Sequence, residues 1–175
     1  MLRRFRRAAR PADSARRLYD VIVARAREPI FHTVFGVPDT LDGRFDLLTL
    51  HAFTVMEALK SVGPAGGALG TDLVSVIFTG FDEALRQLGV SDFGIGRRMK
   101  AMAGAFYGRL EAYGAAPQED ELTTALLRNL YRGDESRQRE SAGLAHYICR
   151  IRHDLRTQAE LLLEGRVEFG PLPTP

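Results

Sequence analysis

Apolar residues recur at three- and four-residue steps through most of this chain, and glycine or proline punctuates each run. That period is close to the 3.6 residues of an α-helix turning one face to a core, whereas a half-buried strand alternates every second residue. After Pro11-Ala12-Asp13-Ser14, with Asp13 or Ser14 as the expected N-cap, Leu18, Ile22 and Ala26 fall on one stripe. Pro29 opens a short turn through Phe31, Val34 and Phe35 that Gly36 closes. The spacing then predicts helices over Leu41–Ser61, Ala65–Leu88, Ser91 or Asp92 to Gly114, Glu121–Tyr131 and Glu135–Leu163. In Leu41–Ser61 the apolar residues cover so much of the girth (Phe45, Leu47, Leu48, Leu50, Phe53, Val55, Leu59) that this helix belongs at the centre of a bundle.

No alternating strand and no internal repeat stands out. The fold class is therefore all-α: one domain, a bundle of about six or seven helices over residues 12–166. A basic arm (1–11) precedes it, and a Pro-rich tail (167–175), expected to be extended, follows. At 175 residues one core is affordable, and no stretch approaches the roughly 20 apolar residues of a membrane span.

Charge is distributed unevenly. Residues 1–27 hold nine Arg against Asp13 and Asp20, or +7, while the remainder holds 15 basic and 20 acidic groups, or −5. A basic arm on an acidic body points to an anionic surface, such as lipid headgroups, RNA or an acidic protein, as one contact. If the arm is helical, Leu2, Phe5 and Ala9 form a thin apolar edge among Arg3, Arg4, Arg6, Arg7 and Arg10, the pattern of a surface-lying membrane anchor. A disordered basic tail is the alternative. Cys149 is the only cysteine, so no intrachain disulfide forms. The opening MLRRFRRAAR lacks the apolar core of a secretory signal. The expected compartment is cytoplasmic, peripheral at the inner membrane, or the mitochondrial matrix if the source is eukaryotic, since an Arg-rich, acid-free start resembles a transit peptide.

Signatures of catalysis are scarce, and the chain is read as a binding protein rather than an enzyme. Gly94-Ile95-Gly96 lacks the third glycine and the preceding strand of a dinucleotide loop, and Asp92-Phe93-Gly94 has no kinase catalytic loop beside it. His146, Cys149 and His153 share a helix face, but a zinc site needs about four ligands and Arg150 would repel the cation. No metal and no cofactor is expected. His51, on a core-facing helix, is expected to be a hydrogen-bonded structural histidine, with a client contact as the alternative. Asp39 and Asp42 are expected to cap the helix that follows them, where anions complement its dipole.

One stripe suits binding. Arg97, Lys100, Ala101, Gly104 and Gly108 project on a related face, and two side-chain-free positions let another backbone approach closely. A neighbouring helix of the same bundle seated on that stripe is the favoured explanation, and a client the alternative. Each mid-helix glycine costs about 1 kcal/mol relative to alanine, so some close approach should offset it.

The segments YDVIVARAREPIFHTVFGVPDTLDGRFDLLTLHAF (Tyr19–Phe53) and LGVSDFGIGRRMKAMAGAFYGRLEAY (Leu88–Tyr113) resemble the ubiquinol–cytochrome c chaperone family. The most specific pieces are Gly36-Val37-Pro38-Asp39-Thr40, Asp42-Gly43-Arg44-Phe45-Asp46 and the run Gly94-x-Gly96-Arg97-x-Met99-Lys100, and the likeness extends more weakly over Arg17–Phe169. The resemblance implies a helical assembly factor for the respiratory complex that oxidises ubiquinol and reduces cytochrome c. Its client would be newly made cytochrome b or a subassembly, and mitochondrial members work near the ribosome exit beside a small partner protein. The family offers no catalytic residues. The tail departs from the pattern, with Phe169-Gly170-Pro171 where phenylalanine directly followed by proline is expected. On this reading Asp39, Asp42, Arg44, His51, Arg97, Lys100, Gly104 and Gly108 are the candidate client-binding residues. Arg3, Arg4, Arg6, Arg7 and Arg10 are the candidate membrane or anionic-surface residues. DNA is not an expected partner. Two further readings stand beside it: an RNA- or ribosome-associated protein using the arm, and a small helical enzyme or haem handler using His51 or His146.

Overall fold

A computed structural model describes residues 11–174. Six helices of eleven residues or more carry the fold: α1 (Pro11–Ala26), α3 (Leu41–Ser61), α4 (Pro64–Gln87), α5 (Asp92–Gly114), α6 (Glu119–Asn129) and α7 (Gln138–Leu155). Two short helices, α2 (Ile30–Thr33) and α8 (Ala159–Leu163), and a 3-10 turn at Glu135–Arg137 complete it. Among the described residues there is no strand, and no helix is long and apolar enough to cross a membrane.

The helix that is apolar round most of its girth is the hub. α3 touches α1, α4, α5, α7 and α8, so each of its sides meets a partner. Leu47, Leu50, Val55 and Leu59 are fully enclosed, and burying such a side chain contributes roughly 1.5–3 kcal/mol. The amphipathic helices around it bury one stripe each: Leu18 and Ile22 of α1, Leu73, Ile77 and Leu85 of α4, and Leu144, Ile148 and Ile151 of α7.

Three polar side chains of this core are tied internally, whereas the buried hydroxyls of Thr49 and Tyr113 find no hydrogen-bond partner among the described residues. His51 is fully enclosed, with Nδ1 2.8 Å from the Leu47 carbonyl oxygen and Nε2 3.1 Å from the Tyr147 hydroxyl. A carbonyl can only accept, so Nδ1 carries the proton and Nε2 accepts from Tyr147. Burial holds the ring neutral by lowering its pKa to about 4. Asp46, also fully enclosed, lies between Arg109 Nε (2.7 Å) and Arg132 Nη2 (2.8 Å); burial pushes its carboxyl up against the pull of those two arginines. Arg152 of α7 grips Glu57 of α3 with two bonds of 2.8 and 2.6 Å and donates to the Ala116 carbonyl.

Three local expectations need correction. The cap of α3 is Thr40, whose hydroxyl accepts from Gly43 N–H at 3.2 Å, and neither Asp39 nor Asp42 performs that role. Asp39 instead reaches past the cap to Arg44 at 2.7 Å. At the other end, α1 is already helical at Pro11, and Ser14 is no cap. It is buried, and its hydroxyl donates to the Leu163 carbonyl near the C-terminus. The expected helix Glu135–Leu163 is three pieces, a 3-10 turn, α7 and α8. Between the last two, the amides of Arg156, Thr157 and Gln158 each bond three residues back. This tighter winding lets α8 swing onto α3 and α4 and bury Leu162.

Residues 164–174 contain no helix and lie against the body, with Val167, Phe169 and Pro173 buried. Phe169 packs edge-on to His51, with ring centroids 5.6 Å apart, and Arg25 sits over its other side. Gly170, at φ +66°, turns the chain so that its carbonyl meets Arg25 and the next meets Arg150, at 2.7 and 2.6 Å. Gly170, between Phe169 and Pro171, thus makes the turn that anchors the tail.

Candidate client-binding surface

The unusual motif at residues 36–46 builds a turn. α2 ends at the Val34 C-cap, Gly36 turns the chain beyond it at φ +62°, and Val37 is buried. A side chain on Gly43 would stand 2.0 Å from the Pro38 carbonyl oxygen, so only glycine lets this loop close on α3. Phe45 and Asp46 point inward, while Asp39, Asp42 and Arg44 remain on the surface. Most of what is distinctive in this motif is therefore absorbed by folding.

His51 leaves the candidate surface altogether. With no exposure and both ring nitrogens engaged, it offers no atom to a client. The hydrogen-bonded core role is the one it holds, because burial penalises an imidazole less when each nitrogen has a partner.

On α5 the small-residue stripe is open to solvent, which overturns the favoured expectation that a neighbouring helix of the bundle covers it. Arg97, Lys100, Ala101, Gly104 and Gly108 are all exposed, and a Cβ built on Gly104 or Gly108 meets nothing within 4 Å. α5 turns Ile95, Phe106 and Tyr113 inward instead. Gly104 and Gly108 sit one turn apart with Tyr107 beside them, 53% exposed and stacked on Phe78 of α4 at 6.2 Å.

Tyr107 also walls a groove of about 320 Å³ shared with Met56, Leu59, Val74 and the start of α4. The α4 wall repeats the theme, since Cβ atoms on Gly67 and Gly70 would again meet nothing within 4 Å. Gly66 differs, because a Cβ there would stand 2.0 Å from the Leu59 carbonyl oxygen. Side-chain-free backbone of α4 thus lines one wall of an apolar furrow rimmed by Lys60, and α5 contributes Tyr107, the neighbour of Gly108, to the lining. Gly67 and Gly70 escaped the sequence reading, although the run Gly66-Gly67-Ala68-Leu69-Gly70 carried the same signal. Asp39 lies on the α2–α3 turn and Asp42 and Arg44 at the start of α3, and no hydrogen bond or ion pair among the described residues joins this charged group to the α5 stripe.

His146 pairs with Glu119 at 3.1 Å, Cys149 is half-buried and His153 is exposed. Among the described residues no three His, Cys, Asp or Glu side chains are grouped to hold a metal. The five arm arginines, Arg3, Arg4, Arg6, Arg7 and Arg10, lie outside the described residues.

Comparison with known proteins agrees over nearly the whole chain. A crystal structure of the Cbp3 homolog from Brucella abortus superposes with a TM-score of 0.81 at 37% identity, covering 91% of this chain and 90% of that one. Ubiquinol-cytochrome-c reductase complex assembly factor 1 of Xenopus laevis is 26% identical over 163 residues, 91% of this chain and 82% of that protein. The Mus musculus and Homo sapiens proteins of that name are each 24% identical, and there this chain spans little more than half of their length, 55% and 54%. The model of the family described as ubiquinol-cytochrome C chaperone matches residues 33–169, and the chain belongs to that family.

Proposed function

We propose that this chain is an assembly chaperone for the ubiquinol–cytochrome c oxidoreductase and that its client is newly made cytochrome b, or a subassembly containing it. The observation that carries the reading is the uncovered glycine face. Gly104 and Gly108 each cost the helix about 1 kcal/mol, and no contact within 4 Å among the described residues offsets that cost. The four-residue spacing is the one through which membrane helices pack backbone to backbone. An unassembled membrane subunit exposes such helices, and the Met56–Val74–Tyr107 furrow beside the stripe gives one an apolar bed. Arg97 and Lys100 lie on the same face as the stripe and suit the polar end of such a helix. The protein works at the inner membrane as a peripheral component, without a span of its own among the described residues.

Deleting the gene should lower the amount of assembled complex while transcripts of its subunits persist. A photo-crosslinker at Ala101 should capture cytochrome b, and Gly104→Leu with Gly108→Leu should abolish that capture without lowering the melting temperature. Unchanged complex after deletion would sink the chaperone role; capture indifferent to the added bulk would sink this surface.

A further inference from the structure

The turn between α4 and α5 carries the most exposed large apolar side chain of the described residues. Phe93 has 90% of its surface free and Leu88 62%. Gly89, at φ +74°, folds the chain between the two helices, so both side chains stand at one end of the bundle. Directly behind them on α5 come Arg97, Arg98 and Lys100, all exposed and with no ion pair or hydrogen bond among the described residues. Of the acids flanking the turn, Asp82 and Asp92 are both occupied by Arg86, with contacts of 2.7 Å to each, while Glu83 and Glu111 are exposed and make no ion pair with these cations among the described residues.

We propose that this turn is a docking tip for an anionic membrane surface, in which Leu88 and Phe93 enter the headgroup region and Arg97, Arg98 and Lys100 meet lipid phosphates. A protein partner would need a patch or pocket around the aromatic ring, and Phe93 protrudes with almost none of its surface in contact. A bilayer interface needs the opposite, a projecting ring at headgroup depth with cations one to two turns above it. Those cations lack internal acids and so keep their charge for phosphates. Phe93 is on the same line of α5 as Arg97, Lys100 and Gly104, at steps of four, seven and eleven residues. The glycine stripe therefore starts about 16 Å along the helix from the tip, close above a docked membrane surface. The tip stands on its own exposure and charge, and vesicle binding tests it whether or not cytochrome b is the client.

The chain contains no tryptophan, so Phe93→Trp installs a single reporter. With vesicles of phosphatidylcholine containing about 30% phosphatidylglycerol, its emission should shift to the blue and be quenched by brominated acyl chains; with pure phosphatidylcholine it should do neither. Leu88→Ser with Phe93→Ser should cut the partition coefficient on anionic vesicles about tenfold. The arm arginines could bind vesicles unaided, so partition is also measured with Arg3, Arg4, Arg6, Arg7 and Arg10 replaced by glutamine. Binding should persist there and disappear when Arg97, Arg98 and Lys100 are neutralised as well. An unshifted, unquenched reporter on bound protein, or no binding once the arm is neutral, overturns the proposal. So does a double-serine variant that loses capture of a protein partner while its vesicle partition is unchanged, which would make the tip a protein contact.

Discussion

α3 and the outer face of α5 are both built from runs that look ambiguous in sequence, and they resolve in opposite ways. α3 is apolar round most of its girth and is covered along most of its length, so three of its polar residues become ties to other helices or to its own backbone: His51 to Leu47 and Tyr147, Asp46 to Arg109 and Arg132, and Glu57 to Arg152. The outer face of α5 carries four exposed side-chain-free or basic positions that nothing among the described residues covers. The first region has been optimised for stability. The second gives up stability in a way that packing does not explain, which marks it as a surface kept for something else.

The sharpest way to break this contrast is to remove a tie. Asp46→Ala should destabilise the protein by about 3 kcal/mol, because the enclosed Arg109 is left as an uncompensated charge while Arg132, half exposed, can turn to solvent. Urea unfolding at pH 7 measures it, and a loss below about 1 kcal/mol would mean that the α3 core is not the tied structure described here.

Next in size is a pH effect. His51 has a folded pKa of about 4 against an ordinary value of 6.5, so between those values the unfolded chain binds more protons. Its contribution is complete above pH 6.5 and is lost as pH falls toward 4, to a total of roughly 3 kcal/mol. Stability measured from pH 7 to pH 4.5 should fall less steeply in His51→Gln, and the comparison cancels the opposite, smaller tendency of Asp46, whose carboxyl is pushed up by burial. Equal slopes would place His51 in contact with water.

The smallest effect compares the same substitution at two glycines. Gly66→Ala should destabilise the fold by about 2 kcal/mol, since the new methyl meets the Leu59 carbonyl oxygen. Gly104→Ala should stabilise it by about 1 kcal/mol, since the new methyl meets nothing. Thermal melting of the two variants decides the matter. A destabilised Gly104→Ala would show that the stripe is covered after all.

The helical layout was legible because its signal is local. Gly63-Pro64, Gly89 and the Ser91 cap sit where the spacing put the breaks, and Ser91 accepts from Gly94 N–H as an N-cap should. The cap of α3 was misjudged because threonine, aspartate and aspartate lie within three residues and only loop geometry selects among them. The split of α7 from α8 was invisible because Leu155 and Leu162 keep helical spacing straight across it. For the candidate surface, Gly104 and Gly108 were visible, but Gly67, Gly70, Leu88 and Phe93 were passed over, since exposure leaves no periodic trace.

Sequence alone determined that this chain is a helical bundle with α3 at its centre, because a 3.6-residue period and the girth of an apolar surface are properties of the residues within one helix. Tertiary structure alone decided that His51 lies inside, bonded to a tyrosine 96 positions away, and that Gly104, Gly108 and Phe93 lie outside. Whether a stripe is buried depends on which distant helix reaches it, and that is fixed by the packing of the whole bundle rather than by the stripe itself.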